Sequence, residues 1–132
     1  MKLSLRSEYA LLTLIHLSRQ NNGGPASLDA IAEMQHIPCE SLAEIFSVLN
    51  RSGYATQNRA DGQVKLAKSA GEISVAEIIR LFDGALAPLE PVSAKGYAPA
   101  PMDKEEKLTG LFEKIHEQIS ERLEGTTIAE LA

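Results

Sequence analysis

The stretch from Ser27 to Ala67 constrains the fold more than any other part of this chain. Ser27 offers an N-cap for a short helix to Gln35, with Leu28, Ile31 and Ala32 on its inward face. A turn at His36-Ile37-Pro38 follows, and Pro38 or its neighbour opens a second helix. The Leu42, Ile45, Phe46 and Leu49 of that helix stand at i, i+3, i+4 and i+7, the spacing of a core-facing stripe. Gly53 supplies the positive φ that commonly ends a helix. Tyr54–Asn58 and Gln63–Ala67 then read as strands that pair across Arg59-Ala60-Asp61-Gly62, where Asp-Gly favours the turn. Helix, turn, helix and a two-stranded ribbon in so short a span outline a winged helix-turn-helix, a fold that lays one helix in the major groove of DNA.

The flanks fit the same plan. Leu5 to about Gln20 reads as a helix, with Leu5, Tyr9, Leu12, Ile15 and His16 at helical spacing as its inward face and Asn21-Asn22-Gly23-Gly24-Pro25 as its stop. Ser74-Val75-Ala76-Glu77 is a capping box, Ile73 and Ile78 form the matching hydrophobic staple, and the helix they open ends near Asp83-Gly84. Four of the six prolines (Pro88, Pro91, Pro99 and Pro101) then fall between Ala85 and Met102, where no period is visible. Structureless loops of this length are uncommon inside compact domains and are often functional. Asp103 is placed to cap a long helix to about Glu124. Its Leu108, Phe112, Ile115, Ile119 and Leu123 follow one another at intervals of 4, 3, 4 and 4, with Leu111 flanking.

A helix of that length is a rod of about 30 Å, long for so small a body. Pairing with the same helix of a second chain is the expected way to bury its stripe, and packing into the chain's own core is the alternative. Thr126 to Leu131 reads as a short closing turn. The expected class is therefore mainly α with a small β-hairpin. Residues 1–84 form the winged head, 85–102 a proline-rich sensing or linker segment, and 103–132 a dimerisation helix with its closing turn.

Composition narrows the function. A chain of 132 residues with 44% hydrophobic content supports one folded domain with a modest core. No apolar run approaches the roughly 18 residues of a membrane span. No signal peptide is read at Met1, because the first helix carries Glu8 and lacks a cleavage site, so a cytoplasmic protein is expected. The single cysteine, Cys39, rules out an internal disulfide and any multi-cysteine metal site within one chain. A net charge of −5 is unusual for a nucleic-acid binder, yet it is unevenly spread. Residues 1–71 carry a net +1 and residues 72–132 a net −6, which puts the amino-terminal half nearer a polyanion.

The order of elements and several motifs resemble the Rrf-two family of bacterial winged-helix regulators. The resembling residues begin with Met1-Lys2-Leu3-Ser4, Tyr9-Ala10-Leu11, Ser27-Leu28 with Ile31-Ala32-Glu33, and Ile37-Pro38 with Leu42 and Ile45. They continue through Leu49 with Gly53, Leu66-Ala67, Ile73-Ser74 with Glu77-Ile78-Ile79, and Thr126-Thr127-Ile128-Ala129-Glu130-Leu131, and so span essentially the whole chain. The resemblance implies a homodimeric regulator, most simply a repressor, that binds double-stranded DNA at a palindromic operator. It also implies that an effector or partner acts at residues 85–102.

The departures from the family pattern are informative. Cluster-bearing members hold an iron–sulfur centre with three cysteines after the fourth helix. Here Leu89-Glu90-Pro91-Val92-Ser93 occupies that place, so no cluster, metal or other cofactor is expected. Glu8 lies near a carboxylate that some members recruit as a ligand, and reads here as a solvated helix residue. The wing keeps Arg59 but replaces the usual double glycine and aromatic with Ala60-Asp61-Gly62-Gln63-Val64-Lys65. In the third helix Ser41 stands where an aromatic is common and Ala43 where an acid is common.

The candidate DNA-binding residues follow from these elements. Lys2, Ser4, Arg6 and Tyr9 of the first helix, Ser27, Arg51, and the wing's Arg59 and Lys65 are candidate contacts, the cations among them for phosphates. Cys39, Glu40, Ser41 and Glu44 near the start of the third helix face outward, where Ser can pair with several base edges and Glu can accept from the cytosine amino group. The alternative for the glutamates is a solvated face, and for Cys39 a redox-sensitive thiol near a helix start. His16, His36 and His116 show no zinc-binding spacing and read as packing or surface residues. No nucleophile–base pair, phosphate loop or carboxylate pair suggests an enzyme. The rival to a DNA regulator is a winged-helix protein–protein adaptor, which the glutamates of the third helix and the plain wing would suit.

Overall fold

The computed structural model describes residues 3–20, 26–84 and 104–132. Lys2, the expected stop at 21–25, the proline-rich segment at 85–102 and the expected cap Asp103 lie outside the described residues. Helices α1 (Leu5–Arg19), α2 (Leu28–Gln35) and α3 (Cys39–Arg51) are followed by strands β1 (Ala55–Gln57) and β2 (Val64–Leu66). A 3₁₀ turn at Ala70–Glu72, α4 (Val75–Asp83), α5 (Glu106–Glu124) and α6 (Ile128–Leu131) complete the order. This is the mainly helical, winged architecture expected.

Local chemistry accounts for the helix ends. Ser27 Oγ accepts the backbone N–H of Ala30 at 3.1 Å and starts α2. At the end of α3, the Gly53 N–H donates to Asn50 O at 3.1 Å and the Tyr54 N–H to Leu49 O at 2.9 Å. That is a Schellman motif, and it requires the φ of +84° that Gly53 adopts. His36 holds the equivalent left-handed position after α2, at φ 55°, a conformation an L side chain adopts at a cost.

The core follows the stripe expected of α3, with Leu42, Ile45, Phe46 and Leu49 all buried. They join Ala10, Leu14, Leu17, Ile31, Val64, Ile73, Ile78 and Ile128 in one cluster. The inward face expected of α1 needs correction. Of the expected residues His16 is buried but Leu5 is 57% exposed, and the rest of the buried face is Ser7, Ala10, Thr13, Leu14 and Leu17. Tyr9, Leu12 and Ile15 only flank the core. Ser7 and Thr13 tolerate burial because their hydroxyls have internal acceptors, Asp83 Oδ2 at 2.7 Å and Tyr9 O at 2.7 Å.

The hairpin is antiparallel, pairing Ala55 with Leu66, Thr56 with Lys65 and Gln57 with Val64. Its loop is closed by the side-chain Oδ1 atoms of Asn58 and Asp61, which accept from the Ala60 and Gln63 N–H groups, and by Gly62 at φ +73°. A further rung lies outside the ribbon. Ala26 exchanges both backbone hydrogen bonds with Val64, at 3.0 and 2.7 Å, and so stitches the wing to the start of α2.

Two expectations about the second half are also corrected. Ser74 Oγ accepts the Glu77 N–H, but the Glu77 carboxylate bonds Ser74 Oγ and not the Ser74 N–H, so the reciprocal box is only half made. A complete capping box sits instead at Thr127 and Glu130, opening α6. The long helix begins at Glu106, its N-cap Glu105 making no side-chain cap bond, so it starts later than a cap at Asp103 implies. None of its residues is fully buried. Leu123 packs on Val75, Ala76 and Ile79, and Arg80 pairs with Glu124, so α4 carries the carboxyl end of α5.

Candidate nucleic-acid interface

The face of α3 opposite its buried stripe is made by Glu40, Glu44, Ser47 and Arg51, and all four are exposed. The periodicity that buries Leu42, Ile45 and Leu49 fixes this outward row. Cys39 is exposed at the first position of the helix and Ser41 is half-buried beside the row. Arg51 Nε reaches Ser47 O at 3.4 Å, which leaves the guanidinium on the outer surface.

The amino end of α1 meets this face. Leu5, Arg6 and Tyr9 line a small hollow with Ser41, Glu44 and Ile45. An ion pair spans it, Arg6 Nη2 to Glu44 Oε1 at 3.4 Å. The Arg6 guanidinium also lies 5.4 Å from the centroid of the Phe82 ring. Behind it, Asp83 Oδ2 accepts from the Ser4 N–H at 3.1 Å and from Ser7 Oγ at 2.7 Å. Burial pushes the Asp83 carboxyl up, but the hydrogen bonds from Ser4 and Ser7 and the charge of Arg6 outweigh it and hold the group below the usual range. Ser4 and Ser27, both candidate contacts, are at work as helix caps, their side chains accepting from Ser7 N and Ala30 N.

The wing projects Arg59 and Lys65, both exposed, from the loop and from β2. Lys65 lines a shallow depression with Thr56, Gln57, Asn58, Asp61 and Gln63. At the base of the wing, Lys68 Nζ lies 3.6 Å from Glu77 Oε1 and 5.6 Å from the Tyr54 ring centroid. Burial, together with a hydrogen bond and charge from Glu77, pushes the Tyr54 hydroxyl up to about 12. Burial opposes ionisation of Glu77, yet bonds from Tyr54 and Ser74 and the charge of Lys68 keep its carboxyl below the usual range. This cluster mounts the wing on α4.

Sequence reasoning missed Phe82 and Asp83, which support Arg6 from α4. Asp83 stood out in the sequence only as a helix end before Gly84, and no local spacing relates it to Ser7.

A family model for Rrf2, described as an iron-dependent transcriptional regulator, matches residues 3–132. The chain belongs to the Rrf2 family. It is a DNA-binding transcriptional regulator with a winged-helix head. The transcriptional regulator CymR of Bacillus subtilis is 29% identical over 133 residues, covering 100% of this chain and 90% of CymR. The solved structure of B. subtilis CymR, titled the global cysteine regulator, superposes with a TM-score of 0.80 at 26% identity, covering 100% of this chain and 96% of that one. IscR of T. potens superposes with a TM-score of 0.76 at 26% identity, covering 99% of this chain and 85% of that one. Relatives of this Rrf2 protein are named as transcriptional regulators and not as enzymes.

The family description raises the question of iron. The one cysteine of the sequence is exposed on α3, and no group of three His, Cys, Asp or Glu side chains is poised to hold a metal among the described residues. This donor set does not fit a three-thiolate cluster within one chain. Nor is any described helix long and apolar enough to cross a membrane.

Proposed function

We propose that this Rrf2 protein is a homodimeric repressor that binds a palindromic operator and works without an iron–sulfur cluster. The observation that carries the reading is the outward row of α3, exposed among the described residues, together with the cations of the wing. Laid in a major groove, the row brings Glu40, Ser41 and Glu44 toward base edges, while Arg51, Arg59 and Lys65 reach phosphates on either side. Tyr9 shares a hollow with Ser41 and Glu44 beside the row, and Lys2, Ser4, Ser27 and Cys39 are further proposed contacts.

The second subunit is supported by α5. Leu108 and Leu111 are 41% and 52% exposed, and Phe112, Ile115, Ile119 and Leu123 are each only half-buried. An apolar seam left this open in one chain fits burial against its own copy. Residues 103–132 then hold two heads, each residues 1–84, about one helical turn or 34 Å apart on DNA. A signal received by residues 85–102 would shift the population able to span two half-sites. The absence of three thiolates supports the cluster-free reading, and the relatives' role as regulators supports a cytoplasmic one.

A fluorescence-polarisation titration with DNA from upstream of the protein's own gene tests this. Binding should weaken as salt rises, and neutralising Arg51 and Arg59 together should lower affinity for every sequence and flatten the salt dependence by about 0.9 per lost phosphate contact. Binding that never appears, or is indifferent to salt, would favour the adaptor reading that Glu40 and Glu44 suit.

A further inference from the structure

A carboxylate carried into a groove lined by phosphates repels the duplex unless something neutralises it. Glu44 sits in the middle of the outward row of α3, 67% exposed. Its cation comes from a different helix. Arg6 crosses from α1, is 51% exposed, and contacts Glu44 through Oε1 at 3.4 Å. Arg6 is not a loose surface side chain that pairs by chance. Its guanidinium stacks on Phe82, and Asp83, which binds Ser4 and Ser7, fixes the first turn of α1 that carries it. The pair is a poor device for stability, since exposed, solvent-screened ion pairs contribute little. Its geometry suits readout better, because the guanidinium meets Oε1 of a carboxylate whose side chain is still 67% exposed.

We propose that Arg6 is a positioning residue for base readout: it neutralises Glu44 and holds its carboxylate where it accepts a hydrogen bond from the amino group of a cytosine. Arg6 then acts through Glu44 and makes no phosphate contact of its own. A carboxylate matches cytosine because that base offers a donor in the major groove. The inference rests on the reading that α3 enters that groove.

The test is a double-mutant cycle on operator affinity, with Arg6→Gln, Glu44→Gln and the two combined, each measured across a salt series. Arg6→Gln should weaken binding about tenfold, because it leaves an unneutralised carboxylate facing phosphates. Glu44→Gln should recover most of that loss in the Arg6→Gln background, and Arg6→Lys should retain most of the affinity. The doubly substituted chain should keep the original salt dependence and lose its preference for a C·G pair at one position in each half-site. Thermal melting of every variant separates these effects from misfolding. Strictly additive effects, or a salt dependence flattened by about 0.9 in Arg6→Gln alone, would make Arg6 an ordinary phosphate contact and overturn the proposal. Failure of the unaltered chain to bind any DNA would instead remove the reading beneath it, and the proposal with it.

Discussion

Asp83 at the end of α4 and Ser7 in the first turn of α1 are joined by a 2.7 Å hydrogen bond, although 76 residues separate them. The same carboxylate oxygen takes the Ser4 N–H, so one side chain caps α1 from outside and ties it to α4. A negative charge at a helix amino end is stabilising there for the further reason that it faces the positive end of the helix dipole.

Asp83→Ala should therefore destabilise the chain by about 1–2 kcal/mol, measured by urea denaturation, because it strands a buried serine hydroxyl. The lowered carboxyl of Asp83 gives the sign of its pH dependence. Its contribution is complete above the ordinary aspartate range and disappears as pH falls through the lower folded value. The Ala variant should lack that acid-dependent loss.

His16 is 5% exposed, with Nδ1 3.4 Å from Gln35 Nε2 and Nε2 buried without a hydrogen-bond partner among the described residues. Burial, helped by the charge of Arg19, lowers its pKa from the ordinary 6.5. The fold favours the neutral ring, so its contribution to stability is complete above about pH 6.5 and is lost as pH falls below that value through the folded one. Melting temperature should fall as pH drops below about 6.5, and His16→Gln should flatten that part of the profile.

His36 stands in left-handed backbone where glycine is the usual choice. His36→Gly should raise stability by about 0.5–1 kcal/mol in chemical denaturation, by removing the Cβ conflict at φ 55°. No change would mean that the flexibility glycine adds to the unfolded chain cancels the relief.

Ile115 lies mid-way along the open seam of α5 and is half-buried. The unaltered protein should sediment at twice the mass of one chain at micromolar concentration. Ile115→Asp should yield single subunits and weaken operator binding, since each head then binds alone. Unchanged sedimentation would place the subunit contact elsewhere.

What the sequence made legible follows a physical divide. In α3 the large apolar residues lie on one face and polar ones on the other, so spacing alone identified both the core stripe and the outward row. In α1, Leu5, Tyr9, Leu11, Leu12, Leu14, Ile15 and Leu17 surround the axis, and periodicity cannot decide which side is inward. The buried side was the one with small residues, Ser7, Ala10 and Thr13, where α4 and α3 approach closely. The Ser74 box looked complete as a pattern, yet the backbone there is drawn into an exchange with Thr127 that no local motif announces. The outward residues of the site were legible for the same reason as the core. The Arg6–Glu44 pair was not, because it depends on how two distant helices cross.

That exchange has a mechanical meaning. Val75 N–H donates to Thr126 O and Ile128 N–H to Ile73 O, both at 2.9 Å, so the tail clips across the threshold of α4 just beyond the end of α5. The rod is in effect a beam held at its carboxyl end, where Leu123 packs on α4 and Glu124 pairs with Arg80, while Leu108 and Leu111 toward its other end are exposed. A torque applied to the far end of the beam would arrive at Ser74, the same joint from which α4 runs on to Asp83 and the first turn of α1.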